Sequence, residues 1–556
     1  MFSLLRPIQF RLLALILLHS CATPGAQNPR AGQGTAQDAR FKIAGTIVNA
    51  LDGAPLGRAR VSIFDTNNRA NPIWMITSEN GHFEFLQLKA GKFSLQGAKR
   101  GFISAAFDQH EQYSTAIVTG AGFDTENLVL RLTPLGLLTG KIFDEAGDPV
   151  RHARVILYRE NHAGGMNRIL PEPEASTDDQ GSYEFPSLAP GNYFVSVAAK
   201  PWYAVHPIVS SPDGTRNVTP GVAPALDVAY PTTYYNGATD ADGAAPIRIK
   251  GGDHLQIDVR LSPVPALHVL FHVAEEHQTF SIPLFYKRVF DSEEYVQAEG
   301  GQRVAPGVYE LAGVPAGKYT IRRRDPKTTQ LTQLTEMELT KDGQELDNSP
   351  NEPMGRVKLS VRLPRGDQIP KQFFVVLRDS RWRVVAVQPV YSSGEVVFED
   401  LPAGKHAILI SSTTKPYSVV RVSSQGVESA GHELIVRPGA SSDVTVFLIS
   451  GVVTVEGFAK RGEKPMAGVM VILVPRDHES HQEMFRRDQS DLDGSFALRG
   501  VIPGGYTIIA VEDAWGVEWL QPGVLARYVR HGQDVTIGEL KQGSVHLPDP
   551  VEVQPR

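Results

Sequence analysis

The feature that most constrains this chain is a spacing. A glycine, an aromatic or apolar residue two positions on, another apolar residue two beyond that, and a second glycine ten positions after the first occur together five times. The copies begin at Gly81 (GHFEFLQLKAGKF), Gly181 (GSYEFPSLAPGNY), Gly307 (GVYELAGVPAGKY), Gly394 (GEVVFEDLPAGKH) and Gly494 (GSFALRGVIPGGY), with the second glycine at Gly91, Gly191, Gly317, Gly404 and Gly504. In each copy apolar residues alternate with more polar ones, as Phe83 and Phe85 or Tyr183 and Phe185 do, which predicts a strand with one face buried and one wet. The first glycine supplies a left-handed turn position, and the second is expected to turn the chain into another alternating run such as Tyr193 to Val197. Each copy is therefore a predicted hairpin, and the chain a predicted tandem array.

A length of 556 residues allows three to five domains, and the five hairpins select the upper figure. Glycine (51) and proline (39) suit turn-rich sandwiches better than helical bundles. A net charge of −6 with no basic run argues against nucleic acid as a partner. Cys21 is the single cysteine, so no intrachain disulfide and no cysteine nucleophile or cysteine-rich metal site can form. It follows Arg6, Arg11 and the apolar run from Leu12 to Leu18, the layout of a secretory signal too short to span a bilayer. Leu18-His19-Ser20-Cys21 resembles a bacterial lipobox, which makes Cys21 a candidate for lipidation and its lipid the one expected link to a membrane. The alternative is ordinary cleavage between Cys21 and Ala26 and a soluble product.

Outside the hairpins the first two segments repeat a second pattern. Phe41 to Val48 is a strand, Asp52-Gly53-Ala54-Pro55-Leu56 a turn and Ala59 to Phe64 a strand; Leu138 to Phe143, Glu145 to Val150 and Ala153 to Tyr158 repeat them. Gly451 to Val455, Gly462 to Met466 and Gly468 to Leu473 do so again near the end of the chain. This order resembles the carboxypeptidase regulatory-like domain, which implies a seven-strand transthyretin-like sandwich. The third and fourth segments keep the hairpin without a clear Asp-Gly-x-Pro turn. The expected fold class is all-β, a tandem array of about five such modules. The expected layout is a signal peptide (1–26), a Gly-, Ala- and Gln-rich tether (27–40), sandwiches at 41–133, 134–263 (with a long insertion), 264–350, 351–450 and 451–547, and a tail (548–556). The joins are short, which predicts a semi-rigid rod. Phe85, Phe185, Leu311, Phe398 and Leu498 are expected in the five cores.

Little in the sequence points to chemistry. The zinc enzyme for which the resembled domain is named keeps its site on a separate α/β domain. The nearest approach to H-E-x-x-H here is 478–483, one residue short and in a loop, where the i, i+4 geometry of a helix is missing. Asp491 and Asp493 have the look of a calcium loop but lack the acid at position twelve, and Asp-Gly turn chemistry accounts for them. Collagen-adhesin B-type domains resemble these modules in shape and often carry a Glu-catalysed isopeptide bond; the matching positions here are Gly97, Val197, Arg323, Ile410 and Ala510, so that crosslink is not expected. Aromatics in the segments after two hairpins remain: Trp202, Tyr203, Tyr234 and Tyr235 in the second module, Trp515 and Trp519 in the fifth. Such rings either stack on sugars or cover the ends and interfaces of sandwiches. The sequence thus predicts an exported, non-catalytic cell-envelope interaction or scaffold protein without a cofactor, whose partner is an envelope protein or a polysaccharide. The alternatives are a carbohydrate-binding surface protein and an accessory module of a metallocarboxypeptidase system.

Overall fold

The computed structural model describes residues 40–120, 122–162, 164–206, 223–272, 282–324, 331–346, 354–379, 384–424, 427–478, 481–538 and 543–556. The chain is all-β, a succession of two-sheet sandwiches. In the first, strand Phe41–Asn49 pairs antiparallel with His82–Leu88 and parallel with Leu128–Leu132. The facing sheet runs in the order Asn68–Ile76, Arg60–Asp65, Gly91–Ala98, with Ala105–Ala106 and Ile117–Thr119 along the last strand. The second sandwich repeats this with Ser182–Leu188 beside Gly136–Phe143, and Arg168–Ser176, Arg154–Asn161 and Gly191–Ala198 opposite. The fifth has Ser495–Val501 beside Val453–Arg461, and Arg486–Gln489, Met470–Pro475 and Gly504–Val511 opposite, but here Val551–Gln554, expected within a tail, pairs parallel with both Val453–Arg461 and Gly504–Val511 and joins the layers into one nine-strand sheet, its Val551 and Val553 buried in the core. The third and fourth keep both sheets without the Asp-Gly-x-Pro turn. Their first strands, Leu267–His272 and Gly355–Arg362, pair with Val308–Val314 and Glu395–Leu401 of the hairpins.

Alternation along these strands sends every second side chain inward, and five separate apolar cores result. Phe85, Phe185, Leu311, Phe398 and Leu498 are all buried in them, as expected. Burial of each is worth about 1.5–3 kcal/mol.

The first glycine of every hairpin takes left-handed φ: 75° at Gly81, 70° at Gly181, 71° at Gly307, 73° at Gly394 and 78° at Gly494. At Gly81 and Gly181 a Cβ would also lie 2.6 Å from the carbonyl oxygens of Ile47 and Ile142. The second turn differs from expectation. Gly91 and Gly191 open the next strand with ordinary backbone, and in four copies a left-handed residue stands fourth before the second glycine: Gln87 (63°), Ser187 (65°), Gly313 (76°) and Gly500 (67°); in the fourth sandwich the second glycine, Gly404, itself takes a positive φ of 133°. A bulge in the register there, between Phe85 and Leu88 and between Phe185 and Leu188, makes the corner.

Two further repeats hold the corner and the first turn. The Tyr193 hydroxyl donates to the Ala189 carbonyl at 2.7 Å, Tyr319 to Pro315 at 2.7 Å, and Tyr506 likewise to Ile502; His406 places Nε2 2.8 Å from the Pro402 carbonyl. Thr77, Thr177 and Ser490 each sit four residues before the hairpin glycine. Their buried hydroxyls accept from the amides of Ala59, Ala153 and Val469 and donate to the carbonyls of Leu56, Val150 and Met466. Arg303 and Val390 occupy that position in the third and fourth sandwiches, the two without the turn the hydroxyl ties down.

The array is not the expected rod. Lys92 of the first sandwich pairs with Asp491 of the fifth at 2.7 Å, so the two ends of the array meet. The chain also contains a helix, Pro522–Val529, that the strand periodicity did not predict. Pro522 stands in its first turn, and Leu525 and Tyr528 are buried against the outer face of the fifth sandwich.

Candidate functional site

The contact between the first and fifth sandwiches is the most elaborate polar assembly among the described residues. It is built from the loop after Gly91–Ala98 and the short edge strand Arg486–Gln489. Glu111 accepts two bonds from Arg487, at 3.1 and 2.7 Å, with both side chains largely buried. The Arg487 guanidinium also lies 5.4 Å from the ring centre of Tyr113 and 4.8 Å from that of Trp519. Gln489 Nε2 donates to the Asp108 carbonyl and, at 2.8 Å, to Thr115 Oγ1. Two amides bond across the joint: Ala116 N–H to Asp491 Oδ1 at 3.0 Å and Leu492 N–H to the Ala116 carbonyl at 3.0 Å. Burial raises the Asp491 carboxyl above its ordinary range, against the pull of Lys92 and the Ala116 amide.

The second and third sandwiches meet through a buried chain of charges. His206 Nδ1 is 2.8 Å from Asp227, Asp227 is 2.9 Å from His268 Nε2, and His268 Nδ1 is 2.6 Å from Glu310. Burial disfavours an imidazolium at His268, but the bonds to Glu310 and Asp227 prevail and raise its pKa. Beside this chain, Phe290 of the third sandwich packs on Tyr158, Phe194 and Tyr234 of the second. The fourth and fifth sandwiches join where Glu483 accepts from Ser418 Oγ at 2.6 Å and meets His481 at 3.2 Å, with His432 against the His481 ring.

The aromatics singled out in the sequence divide sharply. Trp515 stacks on His110 with centroids 4.9 Å apart and planes at 6°, and its indole N–H donates to the Gly468 carbonyl at 3.2 Å. Trp519 is buried between Phe485 and Arg487, with the Leu520 amide bonded to Gly165 of the second sandwich at 3.0 Å. Tyr234 is fully buried and Tyr235 packs on the second core. Tyr203 and Tyr230 donate to the two oxygens of Glu145. Trp202 is 87% exposed, its one ring contact being edge-on with Tyr203. Asp491 and Asp493 remain apart in role: Asp491 serves the joint, while Asp493 accepts from the amide of Ser495 at 3.0 Å, a turn bond. Among the described residues no group of three or more His, Cys, Asp or Glu is placed to hold a metal. Cys21, Glu479 and Ser480 lie outside the described residues, while His481, from the same histidine stretch, is engaged by Glu483.

Glu111, Tyr113, Arg487, Gln489 and the Asp227–His268–Glu310 chain were not foreseen. A signal existed for Arg487: the edge strand Arg486–Gln489 reads RRDQ where the first sandwich has Ile73 to Ile76. Charged and polar side chains so close to a core need partners: Arg486 and Asp488 find them within the fifth sandwich, at Gly500 and Ala497, and Arg487 and Gln489 find theirs in the first.

Residues 444–525 match the model of a NOMO1-like BOS complex subunit, second β-sandwich domain. The match starts within the last strand of the fourth sandwich, Ser441–Ser450, and ends within the helix Pro522–Val529, a minor part of the chain. No curated protein matches the chain. Among solved structures the chain is similar to the Bacillus anthracis TIE protein, at 12% identity over 75% of this chain and 76% of that one, with a TM-score of 0.17. It is similar to a streptococcal ancillary pilin at 12% identity over 56% and 99%, with a TM-score of 0.17. It is similar to BcpA, the major pilin subunit of Bacillus cereus, at 11% identity over 74% and 99%, with a TM-score of 0.15. No helix among the described residues is long and apolar enough to cross a membrane.

Proposed function

We propose that the chain is a non-catalytic, exported scaffold of the cell envelope, built of regulatory-like sandwiches that hold binding surfaces in a fixed relation. The observation that carries this reading is the fifth sandwich, which touches the first through Arg487 and Asp491, the second through Leu520 and the fourth through Glu483. Buried, bidentate and amide-to-carboxylate contacts between ends separated by some 375 residues of chain fix geometry, which a scaffold requires. The titratable groups found here are bonded to one another across joints rather than gathered around an open cleft.

The test is a pull-down from envelope extract with the intact chain beside an Arg487→Glu variant, which places like charges at the joint. Retention of a defined envelope protein by the first and its loss from the second supports a scaffold that works closed. Hydrolytic turnover by the purified chain, or equal capture by both proteins, refutes it.

A further inference from the structure

The outer face of the second sheet can be compared between modules through the repeat itself. One row across three strands is Trp74, Ser62 and Gln96 in the first sandwich, Glu174, Ile156 and Ser196 in the second, and Arg487, Ile472 and Ile509 in the fifth. In the second sandwich the row is covered by Tyr234 of the insertion and Phe290 of the third sandwich. In the fifth it is covered by Trp519 and the helix carrying Leu525 and Tyr528. In the first sandwich no aromatic roof of this kind lies on the row among the described residues: Trp74 is 54% exposed, though Ser62 beside it is buried, and the face with the loop around Ala105 encloses an open cavity of about 170 Å³.

The residue types change with the covering. The roofed rows hold Ile156 and Ser196 in the second sandwich and Ile472 and Ile509 in the fifth; the first has Ser62, itself buried, and the exposed Gln96. With Arg60 and Gln96 exposed beside the exposed Trp74, the face offers polar and flat apolar surface together. Its lining is Trp74, Ala98 and Ala105 on the apolar side and Arg60, Ser62 and Gln96 on the polar side. The Arg60 guanidinium lies 5.1 Å from the Trp74 ring centre, and no carboxylate among the described residues pairs with it. No acid lines the cavity.

We propose that this face binds one acidic pyranose, a uronate unit of an anionic polysaccharide. A flat indole takes the apolar face of a sugar ring, Gln96 offers both donor and acceptor to its hydroxyls, and Arg60 offers a two-pronged donor to its carboxylate. The whole chain carries a net charge of −6, so a polyanion is not drawn to it by a general field, and retention must come from a local site. The site lies within one sandwich and stands whether or not the array is closed.

The test is affinity electrophoresis of the full chain through gels containing polygalacturonate or, as neutral control, dextran, with free galacturonate and galactose as competitors. Retardation by polygalacturonate and not by dextran is expected, with galacturonate the better competitor. Trp74→Ala and Arg60→Gln are each expected to weaken binding about tenfold, the loss of one principal contact, and Trp202→Ala to leave it unchanged. Both side chains are on the surface, and an unchanged melting temperature confirms that each variant is folded. No retardation, retardation that survives Trp74→Ala, equal retardation by dextran, or equal competition by galactose overturns the proposal.

Discussion

Glu111→Gln tests the closed array with the smallest change of shape. The substitution keeps the volume of the side chain but removes the charge that receives two Arg487 bonds, at 3.1 and 2.7 Å. Hydrogen bonds to a charged group contribute about 1.5–3 kcal/mol, and losing half of a buried ion pair costs more where the survivor has nothing else to contact. Arg487 retains the rings of Tyr113 and Trp519, so we take about 2 kcal/mol, which is about a 30-fold shift towards the open array. The assay is amide hydrogen exchange. The amides of Ala116 and Leu492 are bonded across the joint, whereas those of Gly504–Val511 are bonded within their own sheet. Exchange at Ala116 and Leu492 should rise about 30-fold while the strand is unaffected. Unchanged exchange at both reporters would show that the pair does not hold the joint. An equal rise in Gly504–Val511 would show that the fifth sandwich had unfolded, and would refute opening between modules.

Other perturbations separate the parts of the repeat. Gly181→Ala should lower the unfolding midpoint of the second sandwich markedly, because it demands a φ of 70° and puts a Cβ 2.6 Å from a carbonyl oxygen. Gly91→Ala, with ordinary φ and its nearest contact at 3.8 Å, should be tolerated. Tyr193→Phe or Tyr319→Phe should cost about 1 kcal/mol in denaturant unfolding, the value of the bond to Ala189 or Pro315, and a neutral result would refute the role of the corner hydroxyl. The raised pKa of His268 means that its charged bonds to Glu310 and Asp227 stabilise the second joint fully below the unfolded value of about 6.5, and that this is lost as pH rises through the higher folded value. Compared with the native chain, His268→Gln should therefore lose more stability at pH 5.5 than at pH 8.5; an equal loss at both would refute the linkage.

What could be read in the sequence was what repeats. The hairpin glycines, the alternating strands and the five core residues all follow from local sterics and from one face of a strand being dry, and those constraints act identically in each copy. The second corner was misread because Gly91 and Gly191 are conspicuous, while the residues that take left-handed φ, Gln87 and Ser187, are ordinary in type. The helix Pro522–Val529 was missed because its two fully buried positions, Leu525 and Tyr528, sit in too short a run for periodicity to register.

The joints were beyond such reading for a different reason: their partners are far apart in sequence and each is made once. Yet they fall where a copy departs from its siblings. The strand equivalent to Ile73–Ile76 is Arg486–Gln489 in the fifth sandwich, and there Arg487 and Gln489 meet the first. Position 62 is Ser where its equivalents are Ile156 and Ile472, and its cross-strand neighbour Trp74 is left exposed. A repeat fixes the demands of an isolated sandwich, so a residue that breaks the pattern and is not satisfied within its own module, as Arg486 and Asp488 are, answers to another module or to a ligand. Burial distinguishes the two. Arg487 is charged and its side chain largely buried, which requires a partner within the chain, whereas Trp74 is apolar and exposed beside Arg60, which meets no carboxylate among the described residues and so leaves the partner to come from elsewhere.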